Sequence, residues 1–228
     1  MKKALGVALF STTLLLSACG EEKASKESDS KQEANEAVED TKDVAVTKEK
    51  KENPKYDFSN DMGDFKIIGM YASSKNSDKD KITTLDFKGF KLKIIPSLVE
   101  IKLSDEAKLD ERFAGQDTAK AILLTMEGEN TLEDDVDYNG TLIVVTDTGE
   151  QINGDNGVFS SNEVVQTYYG KVKQAGIDVL PLEGDKMPKS FKLIVDPPDK
   201  LEDGTYLGED TLGGEQRIEF DEYHKVEE

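Results

Sequence analysis

Residues Phe90-Lys91-Leu92-Lys93-Ile94 alternate between apolar and lysine side chains, which places Phe90, Leu92 and Ile94 on one face of a β-strand. The stretch Val99-Glu100-Ile101-Lys102-Leu103 has the same period of two, and we expect Pro96 to separate the two strands. These residues decide the fold class, because an amphipathic helix would instead repeat its apolar residues at the helical period of about 3.6.

Further strand patterns follow at short intervals along the chain. Residues Ala119 to Met126 are nearly continuously apolar and predict a central strand that is covered on both faces. Thr141 to Thr146 is rich in β-branched residues, and the turn signal Asp147-Thr148-Gly149 follows it. The remaining predicted strands are 65–71, 164–172, 177–182, 190–195 and, as an edge strand, 216–220.

One segment favours a helix. Ser104 offers an N-cap, Leu109 and Phe113 lie four positions apart on one face, and Gly115 can end the helix. Short strands separated by polar turns, with one short helix, predict a mainly β fold: an antiparallel sandwich or barrel over residues 54–228. For this chain the term immunoglobulin-like can refer to architecture alone, because it has no tryptophan and no second cysteine for a Cys…Trp…Cys core.

Residues 1–18 predict a lipoprotein signal peptide. Two lysines follow Met1, and the apolar stretch from Ala4 to Leu16 is too short for ~30 Å of hydrocarbon, which needs ~20 helical residues. Leu16-Ser17-Ala18-Cys19-Gly20 resembles the lipobox of bacterial lipoproteins. This resemblance implies cleavage before Cys19 and attachment of a diacylglyceryl group, with palmitate among its acyl chains, to the Cys19 sulfur. The alternative is an ordinary cysteine in an uncleaved anchor or a secreted chain.

Residues 19–53 predict the lipidated cysteine and a disordered linker. Positions 20–53 hold 11 acidic residues and 7 lysines, with no aromatic residue and no Ile, Leu or Met. Such a segment has too little apolar surface to offset its ordering entropy. As a flexible coil it would span roughly 30–35 Å. Since a diacyl group anchors a protein stably, we expect it on the outer face of the bacterial cytoplasmic membrane, with its domain projecting into the cell wall.

Charge and composition exclude several classes of function. The 228 residues carry 48 acidic and 29 basic side chains, and residues 54–228 alone carry a net charge of −17. A field of that sign repels nucleic acid. The chain has one cysteine and one histidine, so sites that need two imidazoles are excluded. His224 lies in a tail that we expect to fray, and we assign no catalytic residue, metal ligand or cofactor.

Several motifs of the domain resemble a family of Gram-positive bacterial lipoproteins. The similar stretches are Ala121 to Thr131, Leu142 to Gln151, Tyr169 to Gly176, and the Gly208-Glu209-Asp210 turn. The resemblance implies an extracellular immunoglobulin-like β-sandwich domain of unassigned function. It carries no catalytic residue to this chain.

Two sets of residues are candidates for binding. The run Glu133-Asp134-Asp135-Val136-Asp137 places four carboxylates in one loop, and oxygen ligands of this kind suit a weak calcium site. Tyr168 and Tyr169 are adjacent, so on a strand one points inward and the other outward. An exposed Tyr169 beside Val165 and Lys171 could form part of a partner-binding patch.

The sequence therefore favours a non-catalytic binding or interaction module for an extracellular protein or wall partner. The alternative is a carboxylate-dependent surface hydrolase or a solute-binding accessory protein. A hydrolase of this kind needs two carboxylates facing each other about 5–9.5 Å apart in a cleft.

Overall fold

The structure is a computed structural model that describes residues 56–154, 163–184, 186–202 and 205–227. The predicted signal peptide, Cys19 and the predicted linker to residue 53 lie outside the described residues. Within these ranges, no helix has the length and apolar character needed to cross a membrane.

The described residues form a mainly β fold in which the strand pairings are antiparallel. This confirms the predicted fold class, while the finer immunoglobulin-like arrangement stays a prediction. The strands are β1 (Phe58–Asn60), β2 (Gly63–Ala72), β3 (Thr83–Phe87), β4 (Phe90–Leu103), β5 (Thr118–Asn130), β6 (Val136–Tyr138), β7 (Leu142–Thr146), β8 (Gln151–Asn153), β9 (Gln166–Tyr168), β10 (Lys173–Pro181), β11 (Phe191–Val195), β12 (Asp199–Glu202), β13 (Thr205–Thr211), β14 (Gln216–Phe220) and β15 (Glu222–Lys225). Two short 3₁₀ helices span Ala107–Leu109 and Glu111–Phe113.

The strands belong to three sheets. The large sheet has the order β1-β2-β4-β5-β10, with β15 also paired to β2 and β3 to β4. The second sheet has the order β14-β11-β7-β8, and the third has the order β13-β12-β6-β9. β14 therefore lies at an edge, as the sequence predicted.

β5 is the central strand that the apolar run predicted. It lies between β4 and β10, and Ile122 and Leu124 on one face belong to a core cluster shared with both smaller sheets. On the other face, Ala121 and Leu123 pack in a second cluster with Phe113. Because consecutive residues are buried against different clusters, the strand is covered on both sides, and this prediction is confirmed.

Pro96 does not break β4, so the prediction of two separate strands was wrong. β4 pairs continuously with β5 from Phe90 to Lys102. On its other side, pairing with β3 ends at Ile94 and pairing with β2 begins at Ser97. Pro96 lies where the strand passes from one partner to the other, a position at which a missing N–H donor costs least.

The predicted helix forms as the two 3₁₀ helices. The Ser104 hydroxyl accepts the Ala107 N–H at 3.0 Å, as an N-cap does, and Phe113 is buried in the second cluster. Leu109 is 84% exposed, however, so it shares no apolar face with Phe113. Leu109 ends the first 3₁₀ helix and Phe113 ends the second, and Asp110 between them is extended, so no helical period connects the two side chains.

The C-terminal part of the chain differs most from the sequence predictions. The predicted frayed tail forms β15, where His224 pairs with Met70 of β2. The predicted strand 164–172 is only β9, and β10 begins earlier than expected, at Lys173. Gly208 to Asp210 lie inside β13 rather than in a turn. The polar segments β13 and β15 form strands because neighbouring strands pair with them. The pattern of apolar residues within one segment does not predict such pairing.

Candidate functional site

The two adjacent tyrosines, whose side chains the sequence placed on opposite faces, lie at the end of β9: Tyr168 is its last residue and Tyr169 follows it. Tyr168 is fully buried, and its hydroxyl donates to the Val164 carbonyl at 2.8 Å. Its ring packs edge-on against Phe90 with a centroid distance of 5.0 Å. Tyr169 is 73% exposed. The opposite placement is confirmed, and the anchored Tyr168 fixes the backbone from which Tyr169 projects.

Alternation along β9 groups the outward-facing side chains. Val165, Thr167 and Tyr169 lie on the side opposite buried Tyr168, and we call these three residues the Tyr169 surface. Val165 is 38% exposed, and Val172, beyond the following turn, is equally exposed. The sequence suggested a patch of Tyr169, Val165 and Lys171. The Tyr169 surface keeps the first two residues and adds Thr167, whereas Lys171 pairs with Glu133, and partner binding stays a prediction.

The turn after Tyr169 is fastened to the loop that follows β5. Gly170 has a φ of +68°, which favours glycine, and its N–H donates to Asp135 Oδ1 at 2.9 Å. The Asn130 side chain, 1% exposed, donates from Nδ2 to the Asp134 carbonyl at 2.8 Å and to the Gly170 carbonyl at 2.9 Å. Tyr169 is therefore presented by an ordered turn, which lowers the entropy lost when a partner binds.

The four carboxylates of the acidic run point to four different partners. Glu133 pairs with Lys171, and Asp134 lies 3.1 Å from the Lys200 ammonium. Asp135 accepts the Gly170 N–H, and Asp137 Oδ1 accepts the Thr167 hydroxyl at 2.7 Å. Across the described ranges no group of three or more His, Cys, Asp or Glu residues is placed to hold a metal. Glu133 and Asp135 of the run thus bind the turn that follows Tyr169, at Lys171 and Gly170. The four carboxylates do not point toward one common site.

Asp137 faces a second carboxylate across the third sheet. In the register of β6 and β12, Asp199 is its direct antiparallel partner. Burial and, second, the negative charge of Asp137 raise the pKa of Asp199 above its ordinary 3.8. Like charges placed directly opposite on neighbouring strands destabilise a sheet. We call these two residues the aspartate pair. Their carboxylates repel each other at a position close to the Tyr169 surface.

Asp199→Asn should raise the free energy of unfolding at pH 7 by about 0.2–1 kcal/mol, the scale of one cross-strand charge pair. The raised pKa means that the folded protein binds this proton more tightly than the unfolded chain does. Protonation of Asp199 stabilises the folded state. This contribution is fully present below the unfolded-state pKa of 3.8 and is lost as the pH rises through the higher folded-state pKa. The advantage of the variant should therefore disappear below pH 3.8 in urea unfolding.

Asp80→Asn provides the matched control, because it removes the same charge from an exposed position. It should leave the unfolding free energy unchanged at both pH values. If Asp199→Asn were no more stable than this control at pH 7, repulsion within the aspartate pair would be refuted.

Gly128 of β5 leaves room for the Tyr168 ring. A Cβ at this position would collide with the Tyr168 hydroxyl and come 3.0 Å from Val164 Cγ1. We expect Gly128→Ala to lower the free energy of unfolding by about 1–3 kcal/mol, because the buried ring has no space to retreat. Chemical denaturation measures the loss.

Two further variants test the cause of this loss. Adding Tyr168→Phe to Gly128→Ala removes the colliding hydroxyl and should recover part of the stability. Gly214→Ala, where a Cβ would meet nothing within 4 Å, should show no loss. A double variant less stable than Gly128→Ala alone would disprove the steric explanation.

A cleft of ≈ 610 Å³ lies between the second 3₁₀ helix, the β7–β8 hairpin and the end of β10. Its apolar lining includes Phe113, Ile152 and Leu182, and its acids are Glu150 and Glu183. Glu150 Oε1 accepts the Gly184 N–H at 2.8 Å, while its buried Oε2 has no hydrogen-bond partner among the residues that the structure describes. Glu183 is exposed. The cleft therefore holds one half-buried and one exposed acid.

Two further polar side chains outside the Tyr169 surface have structural partners. Arg112, which lines the cleft, donates from Nε and Nη2 to the Asp110 carboxylate at 2.9 Å each. These hydrogen bonds lower the pKa of Asp110 to about 2. His224, on β15, lies 3.6 Å from the Glu222 carboxylate and has a side chain that is 49% exposed.

Sequence analysis found Tyr169 and Asp137 but missed Asp199. The residues just before it, Pro197-Pro198, are a signal for the end of a strand and indicate no site. Asp199 acquires its significance only from its pairing with β6, more than 60 positions earlier in the chain. No local pattern reports that register.

No protein-family model matches the chain, and no curated protein matches it. A solved structure, described as the crystal structure of a functionally unknown protein from Listeria monocytogenes EGD-e, is similar over 72% of this chain and 87% of that chain. The identity is 12% and the TM-score is 0.43. A similarity of this size carries no argument about function.

Proposed function

We propose that the protein is a lipid-anchored cell-surface protein whose β domain is a non-catalytic binding module for an extracellular protein or wall partner. Its location is the outer face of the bacterial cytoplasmic membrane, with the anchor on Cys19. The sequence supports this location through the lipobox resemblance and the acidic, lysine-rich linker that follows it. The domain supports the function through the Tyr169 surface.

The single observation that carries the binding function is the exposure of Tyr169 on an ordered turn. A tyrosine that is 73% exposed gains a large apolar contact area when a partner covers it, and tyrosine is enriched among the residues that dominate binding energy. The buried Asn130 and the bonds to Gly170 order the turn in the free protein. The partner therefore meets a preorganised anchor.

The distribution of carboxylates also supports a non-catalytic role. Two-carboxylate hydrolysis needs two acids facing each other across a cleft, one of them in an apolar pocket. The acids of the cleft described above are the half-buried Glu150 and the exposed Glu183. The acids of the run at 133–137 bind separate partners in the fold. In the cleft the second acid is exposed, and in the run Asp137 faces Asp199 across two neighbouring strands rather than across a cleft.

One observation favours the alternative of a solute-binding accessory protein or a carboxylate-dependent hydrolase. Glu150 Oε2 is buried beside the cleft and, within the described part of the chain, has no hydrogen-bond partner, which is costly for a carboxylate. A solute that donates a hydrogen bond could satisfy it. This alternative requires that Glu150→Gln, and not Tyr169→Ala, abolishes ligand binding or hydrolysis.

The proposed function is tested by crosslinking on intact cells with the lipidated full-length protein. Tyr169→Ala should reduce the recovery of the crosslinked partner at least about tenfold, since hot-spot truncations cost that much or more. Leu109→Ala is the matched control, because it removes another exposed apolar side chain, one that is 84% exposed in a different part of the chain. Equal recovery from both variants would refute the Tyr169 surface as the binding site.

A further inference from the structure

The outward face of the third sheet continues the Tyr169 surface across three more strands. Thr167 of β9 is paired with Asp137 of β6, Asp137 with Asp199 of β12, and Asp199 with Thr211 of β13. Directly paired residues of an antiparallel sheet project to the same face, with Cβ atoms roughly 4.5–5.5 Å apart. The aspartate pair therefore lies in the middle of a row with a threonine at each end.

The aspartate pair has a hydroxyl donor but no cation. Thr167 donates to Asp137 Oδ1 at 2.7 Å. Among residues 56–154, 163–184, 186–202 and 205–227, no lysine, arginine or histidine forms an ion pair with Asp137 or Asp199. The nearby lysines are already engaged, since Lys171 pairs with Glu133 and Lys200 with Asp134. A cation supplied by a partner would therefore reduce the repulsion between the two carboxylates.

Tyr169 lies near Asp137 at the end of β9. Thr167, two positions before Tyr169, is the direct partner of Asp137, and Tyr169 is the first residue after the strand. Strand geometry continued over this one residue would place Tyr169 diagonally opposite Asp137, at a separation of about 7–8 Å or somewhat less. A cation held between the carboxylates comes within reach of the tyrosine ring, and a cation within ~6 Å of a ring centroid is attracted to its face. The face therefore combines negative charge with an exposed aromatic side chain.

We infer that the Tyr169 surface and the aspartate pair receive an arginine side chain of a basic polypeptide partner, with the guanidinium between Asp137 and Asp199 and beside the Tyr169 ring. This inference rests on the proposed function and names the chemistry of the partner. Charge complementarity supports it beyond the contact itself, because residues 54–228 carry a net charge of −17. That field speeds the approach of a basic segment.

The geometry favours arginine over lysine and over a metal ion. A planar guanidinium presents several N–H donors at once and stacks on an aromatic face, whereas an ammonium is a compact point charge. Calcium needs six to eight oxygen ligands. The aspartate pair has no third acidic residue placed with it in the described part of the chain. An arginine satisfies both carboxylates without further ligands from the protein.

The test measures binding of a fluorescein-labelled tetra-arginine peptide to the full-length protein in detergent, by fluorescence polarisation. We expect Asp137→Asn/Asp199→Asn to weaken binding by at least about tenfold, because two charge-assisted hydrogen-bond acceptors are lost. Tyr169→Ala should weaken it severalfold, and a tetra-lysine peptide should bind the unaltered protein more weakly than tetra-arginine. Asp80→Asn/Glu111→Gln removes the same charge from exposed positions and should change the affinity less than twofold.

Loss of affinity that is equal in the two double variants would overturn the inference, because it would show attraction by the overall charge alone. Equal affinity for tetra-lysine and tetra-arginine would overturn it too. So would calcium that binds to the aspartate pair with the peptide unbound. Thermal unfolding verifies that the double variants stay folded. If the peptide assay fails while Tyr169→Ala still removes the crosslinked partner on cells, this inference is wrong and the proposed function stands.

Discussion

Phe90→Ala should lower the free energy of unfolding by about 3–5 kcal/mol, the range for truncating a fully buried aromatic residue. Phe90 is 0% exposed at the start of β4. Its ring centroid lies 5.0 Å from that of Tyr168 and 5.3 Å from that of Tyr138, both in the third sheet. The substitution therefore leaves a cavity at the contact between the large sheet and the third sheet. Chemical denaturation followed by tyrosine fluorescence measures the loss.

Phe58→Ala is the control for this prediction. Phe58 is half-buried and stacks on Phe65 with a centroid distance of 4.5 Å, so the same atoms are removed from a less enclosed position. Phe58→Ala should lower the free energy of unfolding by less than half as much as Phe90→Ala does, because Phe58 withdraws less apolar area from water. Equal losses in the two variants would contradict the assignment of Phe90 to the contact between the sheets.

Phe90→Ala should also affect binding through Tyr168. The Phe90 ring packs edge-on against Tyr168, the residue that fixes the backbone of Tyr169. We expect the variant to lose crosslinking of the partner under conditions in which it is still folded. Retention of full crosslinking would mean that the turn bonds of Asn130 and Gly170 position Tyr169 without help from Tyr168.

Cys19→Ala should leave the precursor unprocessed and release the protein from stable membrane attachment. One acyl chain holds a protein only reversibly, and two chains anchor it, so loss of the acylated sulfur removes the whole anchor. Radiolabelled palmitate incorporation and membrane fractionation measure the effect. Palmitate that still entered the variant would exclude Cys19 as the attachment site.

Ser11→Ala provides a control within the same segment, since it alters the apolar stretch and leaves the residues from Leu16 to Gly20 intact. It should be processed and retained like the unaltered protein. If both variants lost palmitate equally, the defect would lie in membrane insertion of the signal peptide, and the prediction for Cys19 would fail.

Local patterns in the sequence were sufficient where burial alone determines structure. The alternation of Phe90, Leu92 and Ile94 predicted a strand, because side chains on successive strand residues point to opposite faces. The apolar run in β5 predicted cover on both faces, since a segment without polar positions has no face suited to water. The same alternation separated buried Tyr168 from exposed Tyr169.

Other features depended on partners that lie far away in the chain. Pro96 is accommodated because β3 and β2 meet β4 on either side of it. His224 is held in a strand because Met70 of β2 pairs with it. Neither residue carries a local signal of its partner, so the sequence predicted a strand break and a frayed tail.

The candidate site also combines features that local sequence patterns predict with features that depend on distant strands. The sequence by itself determined that the chain has an acidic domain, a mainly β fold and an outward tyrosine, because composition and period-two patterning report charge and burial. Only the tertiary structure decided that Asp199 faces Asp137 and that Asn130 orders the Tyr169 turn. Those contacts depend on strand register, which long-range packing sets and which no short window of sequence contains.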